Sequence, residues 1–299
     1  MRVASASPVG ALTMIKDILF PVDFSPACTA MSGFVKRAAA MFGAQVTLLH
    51  VFDLTSHSGF ELYCRPPSEI AEDHRRIAQD KLNKFLRADF PEAECSRLLL
   101  TGPASRSIAE CARNGRFDLI VIPTHSGNFR RMFLGSTTAS VLSEASCPVL
   151  TTQHAETIAP RPLEHRVWAC ALSLGPHSER VLRRASEEAG TIGAKLLLIH
   201  VQDFNSRRPA ARPPHGKEPA SLHVEQARRR LKEMCKAVGA APELILGSGD
   251  VRESLLETVK IASADVLIIG QNLQASPSVR LSRLAYELIR DSPCPVLSV

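Results

Sequence analysis

The sequence predicts an α/β protein built as two tandem, open, five-stranded parallel-sheet domains with helices on both faces. Three observations lead to that fold class. The chain has 299 residues, which suits two domains of about 150 residues each. Apolar residues make up 45% of it while aromatics stay at 5%, the usage of aliphatic strands buried on both faces. The third observation is that the chain repeats itself. AMFGAQVTLLHVFD (40–53) matches TIGAKLLLIHVQD (191–203) with His50 on His200, an offset of 150. FDLIVIP (117–123) then matches ADVLIIG (264–270), and ASCPVLTT (145–152) matches DSPCPVLSV (291–299) with Cys147 on Cys294, an offset of 147. Agreement at three places with so little drift makes each half one copy of a single unit.

Each element of the first copy has a local reason. IKDILFPVD (15–23) reads as a strand, and Ser25 offers an N-cap with Pro26 at the first helical position of AMSGFVKRAAAMF. QVTLLHVF (45–52) is the second strand, followed by a polar helix near 68–88 and the strand CSRLLLTG (95–102). Pro103 opens a helix over 104–114, DLIVIP (118–123) is the fourth strand, 136–145 the fourth helix and CPVLTT (147–152) the last strand. Strands alternating with helices imply right-handed crossovers and a parallel sheet. The second copy follows the same order from Val167 to Val299. The domains therefore run 15–153 and 166–299, joined by a linker at 154–165 and preceded by a disordered extension at 1–14.

Composition narrows the function classes. A net charge of +6, from 36 basic and 30 acidic residues, is mild and shows no basic face with interleaved aromatics, so nucleic acid is not an expected partner. No apolar run approaches the roughly 20 residues that cross a bilayer, and residues 1–14 lack a signal-peptide core, so a cytoplasmic location with no membrane partner is expected. The eight cysteines show no CxxC pair or zinc-ligand spacing and read mostly as small buried hydrophobes, with Cys64 in a loop the exception. The insert RRPAARPPHGK (207–217) reads as a solvated loop.

Chemistry is expected at the carboxyl ends of the strands, where strand order reverses and helix N-termini aim amides at anions. PTHSGNFRRMFLGST (123–137) lies there. Gly127 and Gly135 permit tight backbone paths, Gly135-Ser136-Thr137 sets amides and two hydroxyls at a helix start, and Arg130 and Arg131 add positive charge, so phosphate is the expected occupant. Asp23 ends the first strand at the same rim, where a carboxylate either accepts from ribose hydroxyls or caps the next helix; Val51 offers its backbone to an adenine edge. There is no GxxxxGK[ST], HExxH or GxSxG, and GSGDVR (247–252) only begins like GxGxxG.

FPVDFSPAC, LLHVFD, PTHSGNFRRMFLGSTTASVL and SCPVL together resemble the universal stress protein family, and the likeness covers nearly the whole chain twice, as in tandem members. The resemblance implies a Rossmann-like, adenine nucleotide alpha hydrolase-like sheet and a stress-response regulatory protein binding ATP, ADP or AMP, with Mg2+ as an optional companion and at most slow ATP hydrolysis. The family's ATP-binding loop is written G-x2-G-x9-G-[ST]; here Pro123 and Ser126 stand at the first two glycines, and eight residues rather than nine precede Gly135-Ser136. Residue by residue, the likeness places Asp23 and Val51 at ribose and adenine. Thr124, His125 and Gly127 fall at the ribose and first phosphates, and Gly135, Ser136 and Thr137 at the phosphate chain.

In the second copy Asn272 stands opposite His125, Gln274 opposite Gly127, Ser282-Arg283 opposite Gly135-Ser136, and Ser173 opposite Asp23; only Gly270, opposite Pro123, remains of the glycines. One nucleotide site per chain is therefore expected, with the second domain degenerate and structural. Family members pair through their last strands, so CPVLTT against CPVLSV is expected to form an intrachain pseudo-dimer, leaving a homodimer and an unknown protein partner open. The alternative reading is a nucleotide-free interaction scaffold; an adenylyl transferase or pyrophosphatase would need HxGH or SGGxDS, which the sequence lacks.

Overall fold

The computed structural model describes residues 15–53, 67–124, 134–152, 167–203, 220–271 and 281–299. The first half runs β1 (Asp17–Pro21), α1 (Pro26–Phe42), β2 (Gln45–Phe52), α2 (Pro67–Lys84), β3 (Cys95–Thr101), α3 (Ala104–Asn114), β4 (Leu119–Pro123), α4 (Ser136–Glu144) and β5 (Val149–Thr152). The second repeats it as β6 (Val167–Ala171), α5 (Ser178–Thr191), β7 (Lys195–Gln202), α6 (Ala220–Val238), β8 (Glu243–Ser248), α7 (Val251–Ile261), β9 (Val266–Ile269), α8 (Arg283–Asp291) and β10 (Val296–Ser298). The extension, the linker, Cys64 and the 207–217 insert lie outside the described residues.

The two expected sheets are continuous, in the order β3-β2-β1-β4-β5-β10-β9-β6-β7-β8. All neighbours are parallel except β5 and β10, which pair antiparallel with Leu150 opposite Leu297, the last-strand pairing that the family resemblance implied. Each half thus satisfies the edge strand of the other. One apolar layer gathers Met31, Phe34 and Leu82 with Val181, Leu182 and Leu231; the opposite layer gathers Ile108, Val141 and Leu142 with Leu255, Val259 and Leu288. Both layers cross from one half to the other, and the Phe42 and Trp168 rings meet edge to face at 6.3 Å over the junction.

Local signals account for the boundaries. Ser25 accepts from the Cys28 amide and Pro26 opens α1, as expected; Gly43 (φ 63°) closes it with its N–H on the carbonyls of Ala39 and Ala40, and Gly193 (φ 65°) stands at the same place after α5. β1 is shorter than the expected 15–23 because the amides of Lys16 and Asp17 turn to Asp118 Oδ2 and the chain turns at Phe24, φ 64°. α2 ends before the expected 88, where Leu86 takes a positive φ of 51°. The repeat extends to polar groups: His50 Nδ1 lies 2.8 Å from the Val22 carbonyl and His200 Nδ1 2.7 Å from that of Leu172. Among the described cysteines, Cys28, Cys95, Cys170, Cys235 and Cys294 are buried, and Cys111 and Cys147 are partly so.

Candidate functional site

Strand order reverses between β1 and β4, and the chain leaves both strands at the same rim. Asp23 stands there, exposed, just after β1. Its Oδ1 accepts from the Ser25 amide at 2.9 Å and from Cys28 Sγ at 3.1 Å, so one oxygen already serves the turn into α1. Burial first, and then the Asp23 charge, push the Cys28 thiol up to about 12, which keeps it protonated as that donor. His50 lies beside them under the Phe24 ring, centroids 4.2 Å apart, with Lys81 4.5 Å from the same ring. Burial holds its pKa below the ordinary imidazole value, favouring the neutral ring.

On the neighbouring strands, Val51 pairs in register with Leu100 and is half-buried against the apolar layer that carries α3 and α4. Pro123 ends β4, and its carbonyl accepts from Thr138 Oγ1 at 2.8 Å. Thr124 is only 3% exposed: its hydroxyl and amide both donate to the Thr152 carbonyl at 3.1 Å, and its own carbonyl accepts from the Gly135 amide at 2.7 Å. Thr124 therefore clamps β4, β5 and the start of α4 together. The structure brings Asp23, Val51, Pro123, Thr124, Gly135, Ser136 and Thr137 to the rim elements; His125, Ser126, Gly127, Arg130 and Arg131 lie outside the described residues.

The mouth of α4 is chemically distinctive. Its N-cap is Gly135, which has no side chain to close the first turn, and Ser136 and Thr137 are exposed there. An α-helix leaves its first N–H groups unpaired, so a glycine N-cap presents them to whatever arrives. In the second half, α8 begins at Ser282, whose hydroxyl accepts from the Ala285 amide at 3.1 Å. The twin mouth is closed by its own cap.

Two features were not legible in the sequence. Tyr286, on α8, takes the Leu134 amide on its hydroxyl oxygen at 3.0 Å, so a second-half side chain pins the entry to the first-half mouth. No local motif announces a contact 152 residues apart. The second-half rim also holds an open cleft of about 390 Å³, lined largely by apolar groups including Leu172, Val181, Leu255 and Leu288, with Ser173 and Gln271 among the polar ones. Gly270 on its wall is explained by packing, since a Cβ there would lie 2.6 Å from Val181 Cγ2. Among the described residues no group of three or more His, Cys, Asp or Glu is placed to hold a metal ion, and no helix is long and apolar enough to cross a membrane.

The universal stress protein family model matches residues 14–153 and again 169–299. Curated relatives of single-unit length include a universal stress protein of Thermus aquaticus, 32% identical over 142 residues, covering 46% of this chain and 98% of its own. Universal stress protein A homolog 1 of Coxiella burnetii is 27% identical over 135 residues, covering 43% of this chain and 92% of its own. Among solved structures, a universal stress protein from Archaeoglobus fulgidus aligns over 96% of this chain and 98% of its own with a TM-score of 0.68 and 19% identity, a likeness of fold across both halves.

Proposed function

The chain belongs to the universal stress protein family, with two copies of its domain, and from that membership we infer that it is a cytoplasmic stress-response regulator whose first half binds one adenine nucleotide. The observation that carries this reading is the contrast between the two helix mouths: Gly135 gives α4 no side-chain cap of its own, while Ser282 caps α8 with its hydroxyl. The amides at the start of α4, with the Ser136 and Thr137 hydroxyls, would hold the phosphates of ATP, ADP or AMP, and Mg2+ would arrive with those phosphates. Asp23 would receive the ribose hydroxyls and the Val51 backbone the adenine edge. Tyr286 and Thr124 would keep the mouth at a fixed height by holding the amides of Leu134 and Gly135. His125, Gly127 and Arg130 belong to the same proposal through their places in the loop. The output would be a conformational change or partner contact, with at most slow ATP hydrolysis.

Isothermal titration calorimetry with ATP and ADP tests the reading. One site per chain is expected, and Gly135→Asp is expected to weaken it at least about tenfold by placing a carboxylate where the phosphates would sit. Two equivalent sites, or undiminished affinity in the variant, would refute the assignment. Absence of binding in the parent protein would favour the nucleotide-free scaffold.

A further inference from the structure

Because β10 runs antiparallel to β5, the carboxyl end of the second half's sheet meets the amino end of the first half's sheet. A cavity of about 380 Å³ lies at this junction; it shares Gln271 with the second-half cleft but none of the first-half rim residues line it. Four guanidinium groups line it: Arg113 and Arg116, at and just after the end of α3, and Arg180 and Arg184, from the first two turns of α5. Asp118 is the one acidic side chain among the described lining residues, and its Oδ2 already accepts from the amides of Lys16 and Asp17 at 2.9 and 3.1 Å. Arg184 pairs with the buried Glu188 at 2.5 Å. Arg180 reaches across to the main-chain oxygens of Gln271 and Val299 at 3.0 and 3.2 Å. Arg113 and Arg116 are exposed at the cavity edge.

A second observation points to a ligand that accepts hydrogen bonds. Gln271 also lines this cavity and is 5% exposed, yet its buried Nε2 donates to nothing among the described residues. A buried amide without a partner costs on the order of 1–3 kcal/mol, so natural structures seldom leave one without reason. Planar guanidinium forks match the oxygens of phosphate in pairs, and several of them around a few hundred cubic ångströms call for a compact, multiply charged anion.

We propose that this junction cavity is a second, separate ligand site that binds a compact oligophosphate, held by Arg113 and Arg116 of the first half and Arg180 of the second. The ligand would bridge the two halves through charge. Two sources offer this chemistry, a free oligophosphate and the phosphate tail of a nucleotide. The site does not depend on the reading of the first-half rim.

The test uses the full chain carrying Gly135→Asp, which is expected to weaken the rim site at least about tenfold, and inorganic tripolyphosphate as the probe in low-salt calorimetry. One molecule per chain is expected to bind, at least about tenfold more weakly in the added Arg113→Glu/Arg116→Glu variant and more weakly as salt is raised. Arg180→Gln is the matching change in the other half and is expected to weaken binding as well. Circular dichroism and the melting temperature establish that each variant is folded. ADP that displaces tripolyphosphate one for one, with adenosine inert, supports the site with a nucleotide as source; tripolyphosphate binding with ADP excluded supports it with a free oligophosphate as source. No heat with either probe, or affinity unchanged by Arg113→Glu/Arg116→Glu, overturns the proposal. Loss of nucleotide binding at the rim alone leaves these outcomes unaffected, so the two readings fail separately.

Discussion

Single residues decide how tightly this fold is built. Gly270 occupies a strand end where an added methyl would press on Val181, itself 3% exposed. Gly270→Ala is expected to destabilise the protein by about 1–3 kcal/mol, the range for overpacking a filled core. Combining it with Val181→Ala is expected to recover part of that loss, which a double-mutant cycle by chemical denaturation measures directly. Glu188 is a different case. Burial pushes its carboxyl up to about 7 from the ordinary 4.5, outweighing the pull of Arg184. Between those two values the folded state holds a proton that the unfolded state has released. Stability from this group is therefore present below pH 4.5 and lost as pH rises through about 7. Subtracting the pH-stability profile of Glu188→Gln from that of the parent protein is expected to leave a fall on the order of 3 kcal/mol across that window; a flat difference would show that Glu188 titrates normally.

Among the elements, the helix mouths matter most. α4 and α8 start at equivalent positions of the repeat, one with Gly135 and the other with Ser282. Ser282→Ala is expected to cost about 1 kcal/mol in denaturation experiments, the usual worth of a serine N-cap. Gly135→Asp works in the opposite direction on α4: it adds a cap and a negative charge near a helix N-terminus, so stability is expected to hold or rise while nucleotide affinity falls. That opposition separates a binding defect from a folding defect. Of the site, the Gly135-Ser136-Thr137 step was legible because capping is written in adjacent residues. Thr124 was legible as a rim residue but not as a clamp, since its hydroxyl is satisfied by Thr152, 28 residues along the chain.

For the whole molecule, the question is whether two halves behave as one body. The continuous sheet, the shared apolar layers and the Phe42–Trp168 contact say that they do. Trp168 is the sole tryptophan and sits at the junction, which makes its emission a reporter of that contact. Phe42→Ala is expected to cost about 3–5 kcal/mol and to shift Trp168 emission, while thermal unfolding followed by fluorescence and by far-UV circular dichroism stays coincident. Separate transitions for the two probes would mean that the halves unfold independently.

The repeat, the order of strands and helices and the Ser25 cap could be read from the residues alone, whereas the pairing of the last strands was expected only from the family resemblance. The repeat, the element order and the cap rest on periodicity or turn chemistry spanning a few neighbouring residues, or on copies that can be laid over one another. It took the folded chain to show that Tyr286 holds the Leu134 amide, that the second-half rim keeps an open cleft, and that four arginines meet at the junction. Those relations join residues far apart in the chain. They come into being when the antiparallel β5–β10 register brings the opposite ends of the two halves side by side, and no local pattern encodes that register's consequences for side chains.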